Sequence, residues 1–244
     1  MRYWKIEPTH PVFEGHESWE SFRDIVPLAL RVDEGTSQKK RGIMVLSTQP
    51  VIGRGTSRGE AGLNFFRNSV TTRFLFSTMV TRLYSGVGKG VRLRSLIELW
   101  ARDLKSCYDT PVCVEIEGVR RDLQFCVIGC KGDWPALAKI GRLKRHHGRE
   151  QGEKAKGPAV GICHLCKAGM DGYPFHRFDF EAMKRMHHDV PEPFTVPRGG
   201  PLTSILPQPS CPEGPAHFYK PDVFHNCHKG LIGDLCANAI ALRN

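Results

Sequence analysis

The sequence predicts a mixed α/β fold, in which strand-like segments stand on both sides of one long amphipathic helix. Three segments rich in apolar, aromatic or β-branched residues precede that helix, and two follow it, giving the order β-β-β-α-β-β-α. The chain has 244 residues, of which 40% are hydrophobic and 25% are charged, a composition typical of a globular protein. A chain of this length can bury a core without the help of disulfides.

The strands before the helix are indicated by apolar runs and turn residues. Residues 25–32 predict a buried strand that ends in a turn at Asp33 and Gly35, which are typical turn residues. Residues 41–52 predict a second strand, broken by its proline. Residues 72–84 are rich in aromatic and β-branched side chains and predict the third strand.

The apolar period changes to that of a helix over residues 91–105. One face of this helix collects its large apolar side chains, Leu93, Leu96, Ile97, Trp100 and Leu104. Residues 112–116 then alternate as a half-buried strand, and residues 123–130 predict a buried strand. Residues 134–143 predict a short second helix.

The composition changes after residue 147, which suggests a division of the chain. Residues 148–158 are polar and glycine-rich, as in a linker, and residues 191–215 contain eight prolines, too many for regular structure. We therefore expect a core unit over residues 1–147, an inserted Cys/His-bearing and loop-rich segment over residues 148–222, and a terminal helix over residues 223–244.

The charge distribution predicts a polyanionic partner. The net charge is +10 and the sequence pI is about 9.3. Residues 39–94 contain eleven Lys or Arg against one acid, Glu60, so this stretch carries the whole excess. Lys and Arg that replace counterions at phosphates favour nucleic acid, and DNA is the expected partner, with a merely solvated basic face as the alternative. The candidate nucleic-acid-binding residues are Lys39, Lys40, Arg41, Arg54, Arg58, Lys144 and Arg145.

Two acids stand at the ends of predicted strands and are candidate catalytic residues. Asp33 follows the first strand, and Asp133 follows the last one before the second helix. Carboxylates on neighbouring strands suit Mg²⁺, and paired metal ions serve phosphodiester cleavage. Each acid also fits a structural role, since Asp33 suits a turn and Asp133, before Trp134 and Pro135, suits a helix N-cap.

The spacing of cysteines and histidines predicts a structural Zn²⁺ site. Cys163 and Cys166 form a CxxC pair, which can bring two thiolates to one metal ion. Further ligands are expected from His225, Cys227 and His228, and buried free thiols or a redox pair are the alternatives. Other residues that could complete the site are Cys211, His176, His187 and His188.

The sequence indicates a nuclear or cytoplasmic protein. No apolar run approaches the length of a membrane span, and the first residues lack the apolar region of a secretory signal, so neither a secreted nor a membrane protein is expected. Nine cysteines are an odd number, which favours reduced thiols over disulfides.

Three short motifs stand in the second half of the chain. The first is Asp133-Trp134-Pro135-Ala136, and a CxxC pair at residues 163–166 follows it. The last is Asp222-Val223-Phe224-His225. These motifs resemble the D-x-P-A strand end, the CxxC pair and the D-x-x-H motif of transposases of the CACTA and Kyakuja–Dileera–Zisupton types, including the abundant transposase-like proteins of dinoflagellate genomes. Upstream, residues 26–36 resemble the strand that carries the first acid of that family.

This resemblance implies an RNase H-like domain with three antiparallel strands, a helix and then a strand parallel to the first. It also implies DNA cleavage with Mg²⁺ held by Asp33, Asp133 and a later acid. In that family the third acid lies on a helix well beyond D-x-x-H, where this chain has none, so we expect a truncated relative that binds DNA without complete chemistry. The alternatives are a non-catalytic zinc-binding interaction module and a zinc nuclease with His225 or His228 as base.

Overall fold

The computed structural model describes the greater part of the chain. The described residues are 9–14, 18, 20–36, 42–51, 73–86, 88, 90–146, 159–177, 179–187, 200–210, 214–222, 225, 232, 236–237 and 239–240. Their helices and strands, in chain order, are β1 (Ile25–Thr36), β2 (Gly42–Pro50), β3 (Phe74–Val80), α1 (Gly90–Asp109), β4 (Val112–Ile116), β5 (Val119–Gly132), α2 (Trp134–Gly141), α3 (Phe180–His187), α4 (Pro201–Ile205), α5 (Gly214–His217) and β6 (Tyr219–Pro221).

The six strands form one mixed sheet. Its order is β3-β2-β1-β5-β4, and β6 pairs with the last residues of β5 while β4 pairs with the first. β1, β5 and β6 run parallel to one another, whereas β2, β3 and β4 are antiparallel to their neighbours. The parallel pairing of these three strands therefore ends at one edge of the sheet, and β1 continues beyond it beside β2.

The helices α1, α2 and α4 cover one face of this sheet and form the main core with it. Leu30 of β1, Ile97 of α1 and Leu137 of α2 are fully buried there. Leu202 and Tyr219 belong to the same core, so segments on both sides of residues 148–158 pack together. Each large aliphatic side chain buried in this way contributes about 1.5–3 kcal/mol to folding.

The opposite face of the sheet is covered by a small apolar cluster at one end and is open to solvent at the other. Near the start of β1, Ile25 and Cys126 pack against Val12 in a small second cluster. At the carboxyl ends of the parallel strands, the same face opens into a cleft bordered by Asp33 and Lys131.

The predicted order of elements, β-β-β-α-β-β-α, is confirmed, as is the mixed α/β class. The predicted helix face is also confirmed, since Leu93, Ile97, Trp100 and Leu104 are all buried. Leu96 of the same face is partly buried against the core.

The turn predicted after the first strand is wrong, because β1 continues to Thr36. Residues 33–36 pair with residues 42–45 of β2, so tertiary pairing outweighs their turn propensity. Pro50 ends β2 rather than breaking it, opposite Leu28 at the end of the ladder, where its missing donor is tolerated. Asp33 consequently lies within a strand and not after one.

Two further predictions are corrected by packing. β4 was expected to be half-buried, but Val112 and Ile116 are exposed because β4, among the described strands, pairs with β5 alone and lies at the edge of the sheet. The proline-rich stretch was expected to be irregular, yet it contains α4, whose Pro201 lies in the first turn, where the missing N–H costs nothing. Leu202 then anchors this short helix in the core.

The predicted terminal helix falls mostly outside the described residues. Only positions 225, 232, 236–237 and 239–240 of that segment are described. Among the helices that the structure does describe, none combines the length and the apolar character needed to cross a membrane.

Candidate functional site

Three aspartates lie next to one another where the parallel pairing of β1, β5 and β6 ends. Val32 of β1 pairs with Gly132 of β5, and Gly132 pairs with Pro221 of β6. The next residues on these strands are Asp33, Asp133 and Asp222, which we call the acid row. The backbone N–H of Asp222 donates to the carbonyl of Gly132 at 2.8 Å, which carries the alignment on to the third acid.

Asp133 combines a structural role with a place in the acid row. Its Oδ1 accepts a hydrogen bond from the backbone N–H of Ala136 at 3.0 Å, so the predicted N-cap of α2 is confirmed. Burial raises the pKa of Asp133 above its usual value, and the negative charge of Asp33 raises it further, while the capping hydrogen bond and His225 oppose the shift. The two predicted catalytic acids are therefore close enough to influence each other.

His225 links the first and third acids. Its Nδ1–H donates to Oδ2 of Asp222 at 3.2 Å, and its Nε2 lies 3.9 Å from Oδ1 of Asp33. The D-x-x-H spacing thus brings the histidine back over the carboxylate that precedes it by three residues. His225 was predicted as a zinc ligand, and in the structure its ring faces carboxylates of the acid row.

A cleft with a volume of about 400 Å³ lies beside the acid row. We call it the acid cleft, and its charged lining consists of Arg31, Asp33, Arg73, Lys131, Asp222 and His225. Asp33 is well exposed there, with 57% of its side chain accessible, whereas Asp222 and His225 are half-buried. Carboxylates, an imidazole and three cations therefore share one solvent-accessible surface.

Glu34 follows Asp33 but lies on the other face of the sheet. It accepts a hydrogen bond from the hydroxyl of Tyr84 at 2.6 Å and another from Lys139. Burial acts to raise the pKa of Glu34, but these hydrogen bonds outweigh it and hold the pKa below its usual value. Glu34 is therefore a structural carboxylate that ties β1 to α2 and is no part of the acid row.

The two cysteines of the CxxC pair lie next to each other on an irregular segment beside β6. The backbone N–H of Leu165 donates to Sγ of Cys163 at 3.3 Å. A hydrogen bond from Cys166 lowers the pKa of Cys163 to about 7 against the opposing effect of burial, and backbone donors and Arg145 contribute. The same contact and burial raise the pKa of Cys166. His164, between the two cysteines, connects this segment to the sheet, because its Nε2–H donates a hydrogen bond to the carbonyl of Tyr219 at 2.8 Å.

The complete zinc ligand set stays a prediction. Cys227 and His228 lie outside the described residues, and His225 lies at the acid row. Across the described part of the chain, no three His, Cys, Asp or Glu side chains form a ready-made metal site. This finding holds for the acid row as well as for the cysteine pair.

Most of the predicted nucleic-acid-binding residues cannot be placed. Lys39, Lys40, Arg41, Arg54 and Arg58 all lie outside the described residues. Lys144 is exposed after α2. The guanidinium of Arg145 instead donates a hydrogen bond to the backbone carbonyl of Cys166, at 3.0 Å from Nη1.

Sequence reasoning missed the three cations of this site, Arg31, Arg73 and Lys131, and could not place Asp222. Asp222 was noticed within D-x-x-H, but the three-residue strand before it was hidden among prolines and revealed nothing about its position. The cations could have been found from alternation, because Arg31 stands two residues before Asp33 and Lys131 two residues before Asp133.

The fold and the site together define an α/β protein with a carboxylate row at the edge of a mixed sheet. No protein-family model and no curated protein matches this chain.

Proposed function

We propose that this chain is an RNase H-like, transposase-type domain that binds DNA and cleaves its strands with the help of divalent metal. The observation that carries the proposal is the acid row, three aspartates that each follow the last paired residue of the parallel ladders between β1, β5 and β6. The strand order gives further support, since three antiparallel strands, a helix and a strand parallel to β1 are what the resemblance implies. The hairpin strand β4 is an addition to that pattern.

Asp222 supplies the third acid that the proposal needs. The resemblance alone assigned Asp33 and Asp133 and named no third acid in this sequence. Asp222 lies beside Asp133 in the register of β5 and β6 and so takes the third place in the row from a different element. The proposal therefore includes strand cleavage as well as DNA binding.

The donor set fits Mg²⁺ better than it fits Zn²⁺. Carboxylate oxygens are the ligands that Mg²⁺ prefers, and it commonly uses one or two of them together with water and substrate phosphate. A fully assembled protein cage is therefore not required. Burial is the main cause of the raised pKa of Asp133, and the negative charge of Asp33, which a cation would offset, adds to it. Asp33, Asp133 and Asp222 would hold the ion.

The protein side chains have distinct roles in this proposal. Mg²⁺ held by the acid row would supply Lewis-acid activation of a phosphoryl oxygen and of a water nucleophile. Asp133 is held rigidly by its N-cap hydrogen bond to Ala136. His225 is a positioning residue, because its hydrogen bond fixes the carboxylate of Asp222 toward the cleft.

Nicking of supercoiled plasmid DNA tests the proposed function. The wild type should nick in Mg²⁺ and not in EDTA, and Asp33→Asn, Asp133→Asn and Asp222→Asn should each abolish nicking. Asp103→Asn is the matched control, because Asp103 lies exposed on α1. An Mg²⁺-independent activity, or full activity in all three acid variants, would overturn the proposal.

A second proposed function is structural zinc binding by the cysteine pair. The observation in its favour is the position of Cys163 and Cys166 beside each other in a CxxC pair, where both thiols could reach one metal ion. We expect about one Zn²⁺ per chain by elemental analysis. The double variant Cys163→Ser/Cys166→Ser should lose it, whereas Cys113→Ser, at an exposed thiol on β4, should keep it. Zinc-free and stable wild-type protein would count against this role.

A further inference from the structure

The acid cleft contains cations that metal binding does not explain. Arg31 of β1 pairs with Lys131 of β5, and each stands two residues before an acid of the row, on the same face of its strand. Arg73, just before β3, borders the cleft from the other side. A site that only held a cation would gain nothing from three positive charges beside its carboxylates, so these residues point to an anionic ligand.

Arg31 is the most informative of the three. Its Nε is buried and finds no hydrogen-bond partner among the described residues. Burial and the neighbouring charge of Arg73 lower the pKa of its guanidinium, and the charge of Asp222 only partly opposes them. A donor left buried without an acceptor costs free energy, and an anion in the cleft would remove that cost.

Neighbouring acids offset these cations only in part. Within the described ranges, neither Arg31, Arg73 nor Lys131 forms an ion pair. The charge of Asp222 acts on Arg31 without an ion pair, and His225 lies within 4 Å of both Asp33 and Asp222. The cations are therefore available to a ligand that enters the cleft.

We propose that Arg31, Arg73 and Lys131 form a phosphate-binding surface beside the acid row, on which the phosphodiester backbone of DNA lies. This inference rests on the function proposed above and adds the residues that hold the substrate. Two residues along a strand span about 7 Å, so a phosphate held at Arg31 brings the adjoining backbone to Asp33. Arginine suits this role because its planar fork donates two parallel hydrogen bonds to phosphate oxygens. Contacts of this kind are independent of base sequence.

The test measures binding without chemistry, by fluorescence anisotropy of a short fluorescein-labelled DNA duplex in EDTA. Arg31→Gln and Arg73→Gln should each weaken binding about ten-fold, and each should lower the slope of log affinity against log salt by about one. Arg31→Lys should keep the salt slope but recover only part of the affinity, since it keeps the charge and loses the fork. Arg102→Gln, at an exposed position of α1, is the charge-matched control and should change affinity less than about two-fold.

The outcomes separate this inference from the proposed nuclease function. Binding that is unchanged in Arg31→Gln and Arg73→Gln, reduced equally in Arg102→Gln, or absent in the wild type would overturn the phosphate-binding surface. A wild type that binds through these arginines but never nicks DNA would overturn only the nuclease. Arg73 is exposed at a strand end, so its substitution tests the surface even if Arg31→Gln fails to fold.

Discussion

Asp33 and Glu34 are neighbours on β1, yet their carboxylates lie on opposite faces of the sheet. Asp33 borders the acid cleft with 57% of its side chain exposed, whereas the side chain of Glu34 is only 14% exposed among the helices. This difference follows from the two-residue period of a strand, once β1 is known to continue through both positions.

The first prediction is that substitution of Glu34 destabilises the protein, whereas substitution of Asp33 does not. Glu34→Gln should lower the free energy of unfolding by about 2 kcal/mol, because it weakens charge-assisted hydrogen bonds from Tyr84 and Lys139. Asp33→Asn should change the same quantity by less than about 0.5 kcal/mol, since its side chain is exposed. Urea denaturation of both variants measures this, and equal effects would contradict the assignment of faces.

The second prediction concerns pH. The pKa of Glu34 is lower in the folded protein than in the unfolded chain, so its contribution to stability is present above the unfolded value and is lost as pH falls through the folded value. The difference in unfolding free energy between wild type and Glu34→Gln should therefore shrink from neutral pH to below about pH 4. Urea titrations at several pH values follow it, and a difference that persists in acid would exclude the ionised pair as its source.

The third prediction separates the two roles of Asp133. Asparagine is as good an N-cap as aspartate, so Asp133→Asn should leave α2 stable, whereas Asp133→Ala should cost about 1 kcal/mol. Both variants should lose Mg²⁺-dependent nicking, because both lack the carboxylate. Thermal unfolding and the plasmid assay together check this, and activity in Asp133→Asn would mean that the cap alone matters.

The fourth prediction concerns the close approach of β1 and β5 beneath the acid row. A Cβ at Gly132 would lie 2.3 Å from the carbonyl oxygen of Val32, which is backbone and cannot move without shifting the strand. Gly132→Ala should therefore destabilise the protein by about 2 kcal/mol or more. Gly35→Ala is the matched control on β1, since its Cβ would meet nothing within 4 Å. Unfolding curves that coincide for the two variants would contradict this packing.

The sequence carried enough information for the order of elements and for the α1 core face. Helical spacing is a local signal, and it predicts the burial of Leu93, Ile97, Trp100 and Leu104. The extent of β1 could not be read in the same way, because residues 33–36 are good turn formers and become strand only by pairing with β2.

The third acid lay beyond sequence reasoning for a similar reason. β6 has only three residues, Tyr219–Pro221, and exists because β5 offers an edge beside which it can pair. Nothing in the local pattern reveals that edge, so Asp222 could not be aligned with Asp133. The basic residues of the acid cleft were not predicted for a different reason. The chain contains 35 Lys and Arg residues, so charge alone did not distinguish Arg31 and Lys131 from the others.

Titration with Mn²⁺, followed by electron paramagnetic resonance, measures whether the acid row binds a divalent metal ion. Mn²⁺ replaces Mg²⁺ at carboxylate sites and its free form gives a strong signal. The wild type and Asp103→Asn should bind Mn²⁺ equally, with short DNA duplex strengthening the binding, and Asp33→Asn and Asp222→Asn should each weaken it at least about ten-fold. Equal binding by all four proteins, or none by the wild type with DNA present, would contradict the acid row as a metal site.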